Sequence, residues 1–226
     1  MTEHATAGAD LRHIDTWLFD LDNTLYPDAT GLWIKIGERI TAYVANVTGL
    51  RSEDANVLQK KWLVDHGITL SGLMTHHGTD PDHYHDYVHD VPLDDLDPDP
   101  RLATVLARLP GRRLVFTNAD EKHARRVLAH LGIDTLFDDI FHIGSAEYWP
   151  KPNPESFRRI VAAHGVDPAS TIFFEDSERN LAPAKAIGMT TVLIGAHAPA
   201  STADFVDFRA VDLAPFLATA RVRKTV

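Results

Sequence analysis

The chain has 226 residues and 44% hydrophobic composition, enough to bury a substantial core in one domain with an insertion or in two domains. Its 22 basic and 32 acidic residues give a net charge of -10, which argues against polyanionic partners such as duplex DNA and leaves room for a small anion neutralised locally. With no cysteine, disulfides, thiolate metal sites and cysteine nucleophiles are excluded.

Met1 to Asp10 lack a basic region followed by an apolar run, and nowhere do about 18 uninterrupted apolar residues occur. Neither export nor membrane spanning is expected, and a cytoplasmic location is the default. The first strong element is the apolar run Thr16 to Phe19, which ends in Asp20 and Asp22 and then a turn at Pro27-Asp28. This is a buried strand emptying into a loop, and in an open parallel sheet the ligand crevice lies beyond the carboxyl ends of the strands. Two carboxylates so close repel by a few kcal/mol at ~4 Å with an effective dielectric of ~20. An oxygen-seeking divalent cation, Mg²⁺, fits between them. By itself the stretch also reads as a strand-end Asp followed by an Asx turn.

From Gly31 to Val91 the pattern is helical, at about Leu32 to Val47, Glu53 to His66, Leu70 to His76 and Asp82 to His89. The acidic, proline-rich run Pro92 to Pro100 bounds this block and suits a linker better than a core element. The chain then alternates. Helices are expected at Arg101 to Leu109, Lys122 to Leu131, Pro154 to His164 and Leu181 to Ile187, and strands at Arg113 to Thr117, Asp139 to Ile143, Thr171 to Glu175 and Thr190 to Ile194. Such repetition, with Gly132, Gly165 and Gly188 at helix ends, indicates a parallel sheet covered on both faces. Val211 to Ala220 reads as a terminal helix interrupted by Pro215, and the basic tail Arg221, Arg223, Lys224 as solvated.

Four stretches place polar residues where strands or loops end, each suited to part of the handling of a phosphoryl group. Asp20 and Asp22 form the first. Thr117 and Asn118 follow the strand Leu114-Val115-Phe116 and can donate to phosphoryl oxygens. Lys151 stands between Pro150 and Pro152, which stiffen its segment. Glu175 and Asp176 close a further strand and can complete a cation's ligands, with Asn180 one helical turn on.

In this order the four stretches resemble the motifs of the haloacid dehalogenase superfamily, with Asp20 and Asp22 in the first, Thr117 in the second, Lys151 in the third and Glu175-Asp176 in the fourth. Phe19 to Leu32, Gly67 to Leu73, Tyr87 to Asp90, Phe116 to Ala119, His123-Ala124, Leu131 to Ile133 and Phe174 to Asn180 are similar to its pyrimidine 5'-nucleotidase branch. The fourth stretch carries Glu175 where two aspartates are common. The resemblance implies an α/β fold: a Rossmann-like parallel sheet core at residues 1–25 and 98–226, with an inserted all-helical (C1-type) cap at 26–97. The strand before Asp20 would be central, flanked by the strands of the second and fourth motifs.

It also implies a phosphate monoester hydrolase working through an aspartyl-phosphate, with Asp20 the nucleophile, Asp22 the general acid and base, and Thr117, Asn118 and Lys151 on the phosphoryl group. Mg²⁺ would be held by Asp20, Asp176 and the Asp22 backbone carbonyl, with Glu175 a further ligand candidate. The implied substrate is a small phosphate monoester, foremost a pyrimidine nucleoside 5'-monophosphate, with no nucleic acid polymer and no membrane as partner. A sugar phosphate, a carbon-halogen hydrolase and a catalytically idle nucleotide-binding module are the alternatives.

In the cap, His76, His77, His83, His85 and His89 lie among Asp80, Asp82, Asp86 and Asp90, a pattern open to a transition-metal site or to a solvated helix with one or two substrate contacts, His89 foremost. Trp33, Tyr43, Tyr84 and Tyr87 suit base stacking or the packing of a small bundle, with Tyr84 the candidate contact.

Overall fold

The computed structural model describes residues 8–223, so most of the Met1 to Asp10 reading, and Lys224 of the tail, lie outside the described residues. Arg221 and Arg223 are exposed, as expected, while the backbone around them is paired. Leu11 N donates to Arg221 O at 2.9 Å, Arg221 N to Ala9 O at 2.8 Å, and Arg223 pairs with Asp15.

Six strands, β1 (Thr16–Phe19), β2 (Arg112–Phe116), β3 (Asp139–Phe141), β4 (Thr171–Glu175), β5 (Thr190–Ile194) and β6 (Phe208–Ala210), form one parallel sheet in the order β3-β2-β1-β4-β5-β6. As expected, β1 is central and lies between β2 and β4. All four of its residues are buried, because successive side chains point to opposite faces and helices cover both. Trp17 and Phe19 join Val115, Ile172 and Phe174 on one face, and the Phe19 and Phe174 rings stack at 4.8 Å. Leu18 joins Leu114, Phe116 and Phe173 on the other.

Between β1 and the rest of the sheet come α1 (Leu32–Thr48), α2 (Ser52–His66), α3 (Thr69–His77) and α4 (Pro81–Val88), which share a core of their own built on Tyr43, Val44, Trp62, Leu70, Leu73, Tyr84 and Val88. The sheet's Trp17 face is covered by α5 (Pro100–Ala107), α6 (Glu121–His130) and the terminal α9 (Leu213–Thr219), and its Leu18 face by α7 (Pro154–His164) and α8 (Glu178–Ala186).

Several expectations are corrected. Leu93 and Leu96 of the acidic run are buried in the main core, so the linker also serves as a packing element. Pro215 does not interrupt α9: it is the third helical residue, where no i−4 hydrogen bond is lost. The start of α8 comes three residues earlier than expected because Glu178 suits the first turn, and β3 stops two residues short. The edge strand β6 was not expected, since three half-buried residues carry no periodic signal.

Candidate active site

The register of β1 with its two neighbours builds the site. Phe19 lies opposite Val115 and Phe174, so the residues just beyond, Asp20, Thr117 and the Glu175-Asp176 pair, emerge together at the sheet's carboxyl edge. Asp20 N donates to Phe174 O at 2.9 Å and Thr117 N to Phe141 O at 3.0 Å, which carries the ladder past the strand ends. Lys151 arrives from the loop before α7. Asn118 grips that loop on both sides of the residue, accepting from Lys151 N at 2.8 Å and donating to Lys151 O at 3.1 Å. The Asn118 amide, expected to face the phosphoryl group, is thus committed to placing Lys151.

The Lys151 side chain is 1% exposed, and its ammonium donates to Asp20 Oδ1 (2.7 Å), Glu175 Oε2 (2.7 Å) and Phe116 O (2.8 Å). All three donors are satisfied. Glu175 accepts from Ser177 N through its other oxygen, at 3.1 Å, so both of its oxygens are engaged. Asp20, Glu175 and Asp176 each offer an oxygen within 4.8 Å of the others. Burial, then the Glu175 carboxylate, pushes Asp20 upward against the pull of Lys151, and burial with Asp20 pushes Asp176 up to about 6. One ammonium beside two buried carboxylates and a half-buried third leaves an excess of negative charge. The Asn23 and Asn180 side-chain oxygens are also buried without a partner. An all-oxygen donor set with surplus charge fits a hard divalent cation such as Mg²⁺, with Asp20 and Asp176 the carboxylates not fully engaged elsewhere.

The Asp22 carboxylate turns elsewhere. Its Oδ1 accepts from the Tyr26 hydroxyl at 2.5 Å and lies 3.2 Å from His123 Nε2. Burial pushes its pKa up, but His123 and the Tyr26 hydroxyl outweigh this and hold the carboxyl below its ordinary range. Its side chain is not among the converging acids, which leaves only its backbone carbonyl for the ligand role expected of Asp22. Neither Tyr26 nor His123 stood out in the sequence as a partner of Asp22. The available signal was a buried-face histidine on the amphipathic α6.

Above these groups lies a cavity of about 330 Å³ that Asp20, Asp22, Thr117, Asn118, Lys151, Glu175 and Asp176 all reach. Its opposite wall is mostly apolar, with Trp33, Ile36, Ile40 and Leu70, plus Tyr84, His89 and the amide of Gln59. Tyr43 and Tyr87 instead pack inside the helical unit, with ring centroids 5.3 Å apart. The five histidines separate: His76 and His77 pack on Trp62, His83 bonds the Tyr43 hydroxyl at 2.7 Å, and only His85 and His89 converge, with Asp120. His89 Nδ1 lies 2.6 Å from Asp120 Oδ2, a hydrogen-bond separation. Two ligand atoms sharing a tetrahedral zinc at ~2.0–2.1 Å would stand ~3.3 Å apart.

Residues 14–188 match the family described as haloacid dehalogenase-like hydrolase. Phosphate metabolism protein 8 of Saccharomyces cerevisiae (strain ATCC 204508 / S288c) is 28% identical over 193 residues, 78% of this chain and 60% of that protein. Fructose-1-phosphate phosphatase YqaB of Escherichia coli (strain K12) is 33% identical over 102 residues, 44% of this chain and 53% of that protein. The chain thus spans little more than half the length of these two relatives. The structure of L-2-haloacid dehalogenase from Xanthobacter autotrophicus shares the fold, with a TM-score of 0.55 at 18% identity, covering 91% of this chain and 97% of that one. With its acids, threonine and lysine gathered at one sheet edge and the match running from Ile14 to Gly188, this chain belongs to the haloacid dehalogenase-like hydrolase family.

Proposed function

We propose that this chain is a Mg²⁺-dependent phosphatase that cleaves small phosphate monoesters through an aspartyl-phosphate on Asp20, foremost pyrimidine nucleoside 5'-monophosphates. The observation that carries the reading is Lys151 Nζ, bonded at 2.7 Å to both Asp20 and Glu175 beside Asp176. Residues 1–25 and 98–226 form the catalytic core, and residues 26–97 the cap that closes over the substrate.

Asp20 attacks phosphorus while the Thr117 hydroxyl holds a phosphoryl oxygen and Lys151, its three donors already engaged, contributes its positive charge beside Asp20. Asp22, as general acid, gives its proton to the departing oxygen, then as general base takes one from the water that frees phosphate from Asp20, a role worth ~10²–10⁴-fold. A phosphate dianion arriving beside the Asp22 carboxyl raises its affinity for that proton. Asp20, Asp176 and the Asp22 backbone carbonyl would hold Mg²⁺, which when bound would supply the positive charge that a carboxylate attacking a dianion requires.

A cavity of about 330 Å³ sits at the low end of the ~300–1,000 Å³ usual for ligand pockets and suits one small metabolite rather than a polymer. Its apolar wall, with Trp33 and Tyr84, suits a base. A sugar phosphate is the second reading, supported by the similarity to YqaB. The test is phosphate release from UMP, CMP, their deoxy forms, AMP and several sugar phosphates, with Mg²⁺ and with chelator. Mg²⁺-dependent release favouring UMP and CMP is expected. A flat profile removes the pyrimidine assignment, and release that persists in chelator removes the metal.

A further inference from the structure

The seam between cap and core holds an array of side chains that phosphoryl chemistry does not use. His89 caps the carboxyl end of α4, and its ring lies on that of His123 from α6, centroids 4.0 Å apart and planes 18° from parallel. One carboxylate ties the two together: Asp120 Oδ1 accepts from His123 N at 2.7 Å, and Asp120 Oδ2 lies 2.6 Å from His89 Nδ1. Arg126 holds the chain behind His89 by donating to His89 O at 2.7 Å and Val91 O at 2.9 Å. At its far end the array meets Asp22, whose Oδ1 is shared by His123 Nε2 and the Tyr26 hydroxyl. Among the described residues no side chain donates to Asp22 Oδ2.

Packing alone does not account for this seam. His85, one turn before His89, has both ring nitrogens buried without a hydrogen bond, its Nδ1 3.4 Å from Asp120 Oδ2, and His123 Nδ1 also lacks one. Apolar side chains would fill the same space without the ~1–3 kcal/mol that each unsatisfied polar group costs.

We propose that His89, Asp120 and His123 are positioning residues that lock the Asp22 carboxylate by its Oδ1 and leave Oδ2 as the atom that hands a proton to the leaving group. Because His89 caps α4, the lock is complete only when the cap is seated on α6. Asp22 then works as an acid only over a closed site. The inference rests on the acid role of Asp22 given above.

Leaving-group dependence tests it. A nucleoside or sugar phosphate expels an alkoxide that needs a proton, whereas p-nitrophenyl phosphate expels a stable anion that does not. In kcat/KM, which reports the step that phosphorylates Asp20, Asp22→Asn should lose at least ~10²-fold on the alkyl ester and far less on the aryl one. His123→Phe and His89→Phe, which keep a ring and remove its nitrogens, should lose ~10–10²-fold on the alkyl ester and no more than ~3-fold on the aryl ester, whose turnover also shows that the variant has folded. His123→Gln, which returns a donor, should recover part of the loss. If Phe at position 123 does not fold, Asp120→Asn tests the same link, since Asn still caps α6 but weakens the bond to His89. Equal losses on the two esters in Asp22→Asn would overturn the acid role and the array with it. A selective loss in Asp22→Asn, with equal or no losses in the histidine variants, would overturn the array alone.

Discussion

Lys151 concentrates the electrostatics of the site in one atom. Among the described residues its ammonium is the only cation bonded to Asp20 and Glu175, and all three groups are buried. Replacing it by Met would leave two carboxylates facing each other without a counter-charge. Breaking a buried pair from one side costs about 3–5 kcal/mol, so Lys151→Met should lower the unfolding free energy by that much in urea at pH 7 and abolish phosphate release. An unchanged urea midpoint would show that the acids are neutralised by something else. Asp20, Lys151 and Asp176 were legible because strand-end acids and a proline-flanked lysine leave marks in the local sequence. The pairing of His123 with Asp22 was not, because the two meet across 101 positions of chain, and only the docking of α6 on the sheet brings them together. Asn118 was legible as a polar residue after β2, but its grip on the Lys151 loop depends on how that loop folds back.

Among the elements, α2 and α3 cross closely at Gly72 and Trp62. A Cβ at Gly72 would stand 2.3 Å from Trp62 Cγ, so the two helices meet there only because position 72 lacks a side chain. Gly72→Ala should therefore push the indole aside and cost about 1–3 kcal/mol, read as a lower thermal midpoint. A stabilised Gly72→Ala would mean that helix propensity outweighs the clash. The long helices and the strands of the sheet were legible from periodicity, since burial on one face or on two imposes a repeat on the sequence. β6 was not: Phe208 to Ala210 are half-buried at a sheet edge, and their place is set by pairing with β5 rather than by a pattern of their own. The acidic run before α5 hid Leu93 and Leu96 for a similar reason, since the surrounding aspartates and prolines mask two residues that the core needs.

For the whole molecule, the helical unit α1–α4 and α6 meet through titratable groups, which makes their union sensitive to acid. Burial, then His89, pushes His85 down to about 4, with His123 and His142 also lowering it and Asp120 opposing. The unfolded chain therefore takes up a proton at His85 below its ordinary 6.5, whereas the folded chain waits until about 4. The stability from neutral His85 is complete above ~6.5 and is lost as pH falls through that window, by at most about 3 kcal/mol. The raised acids of the active site act in the opposite sense over the same range, so the informative quantity is a difference. His85→Phe should lose less stability than the parent between pH 7 and pH 5 in urea melts, and parallel pH profiles would contradict the placement of His85 as a buried neutral base.

The proposed function centres on covalent chemistry at one carboxylate, Asp20. Rapid acid quenching of the enzyme during turnover of a ³²P-labelled monoester with Mg²⁺, followed by peptide mapping, reads that chemistry directly. Label on the peptide that carries Asp20, absent from an inactive Asp20→Asn, is the expected result. Label on another residue, or full turnover in Asp20→Asn, would contradict it.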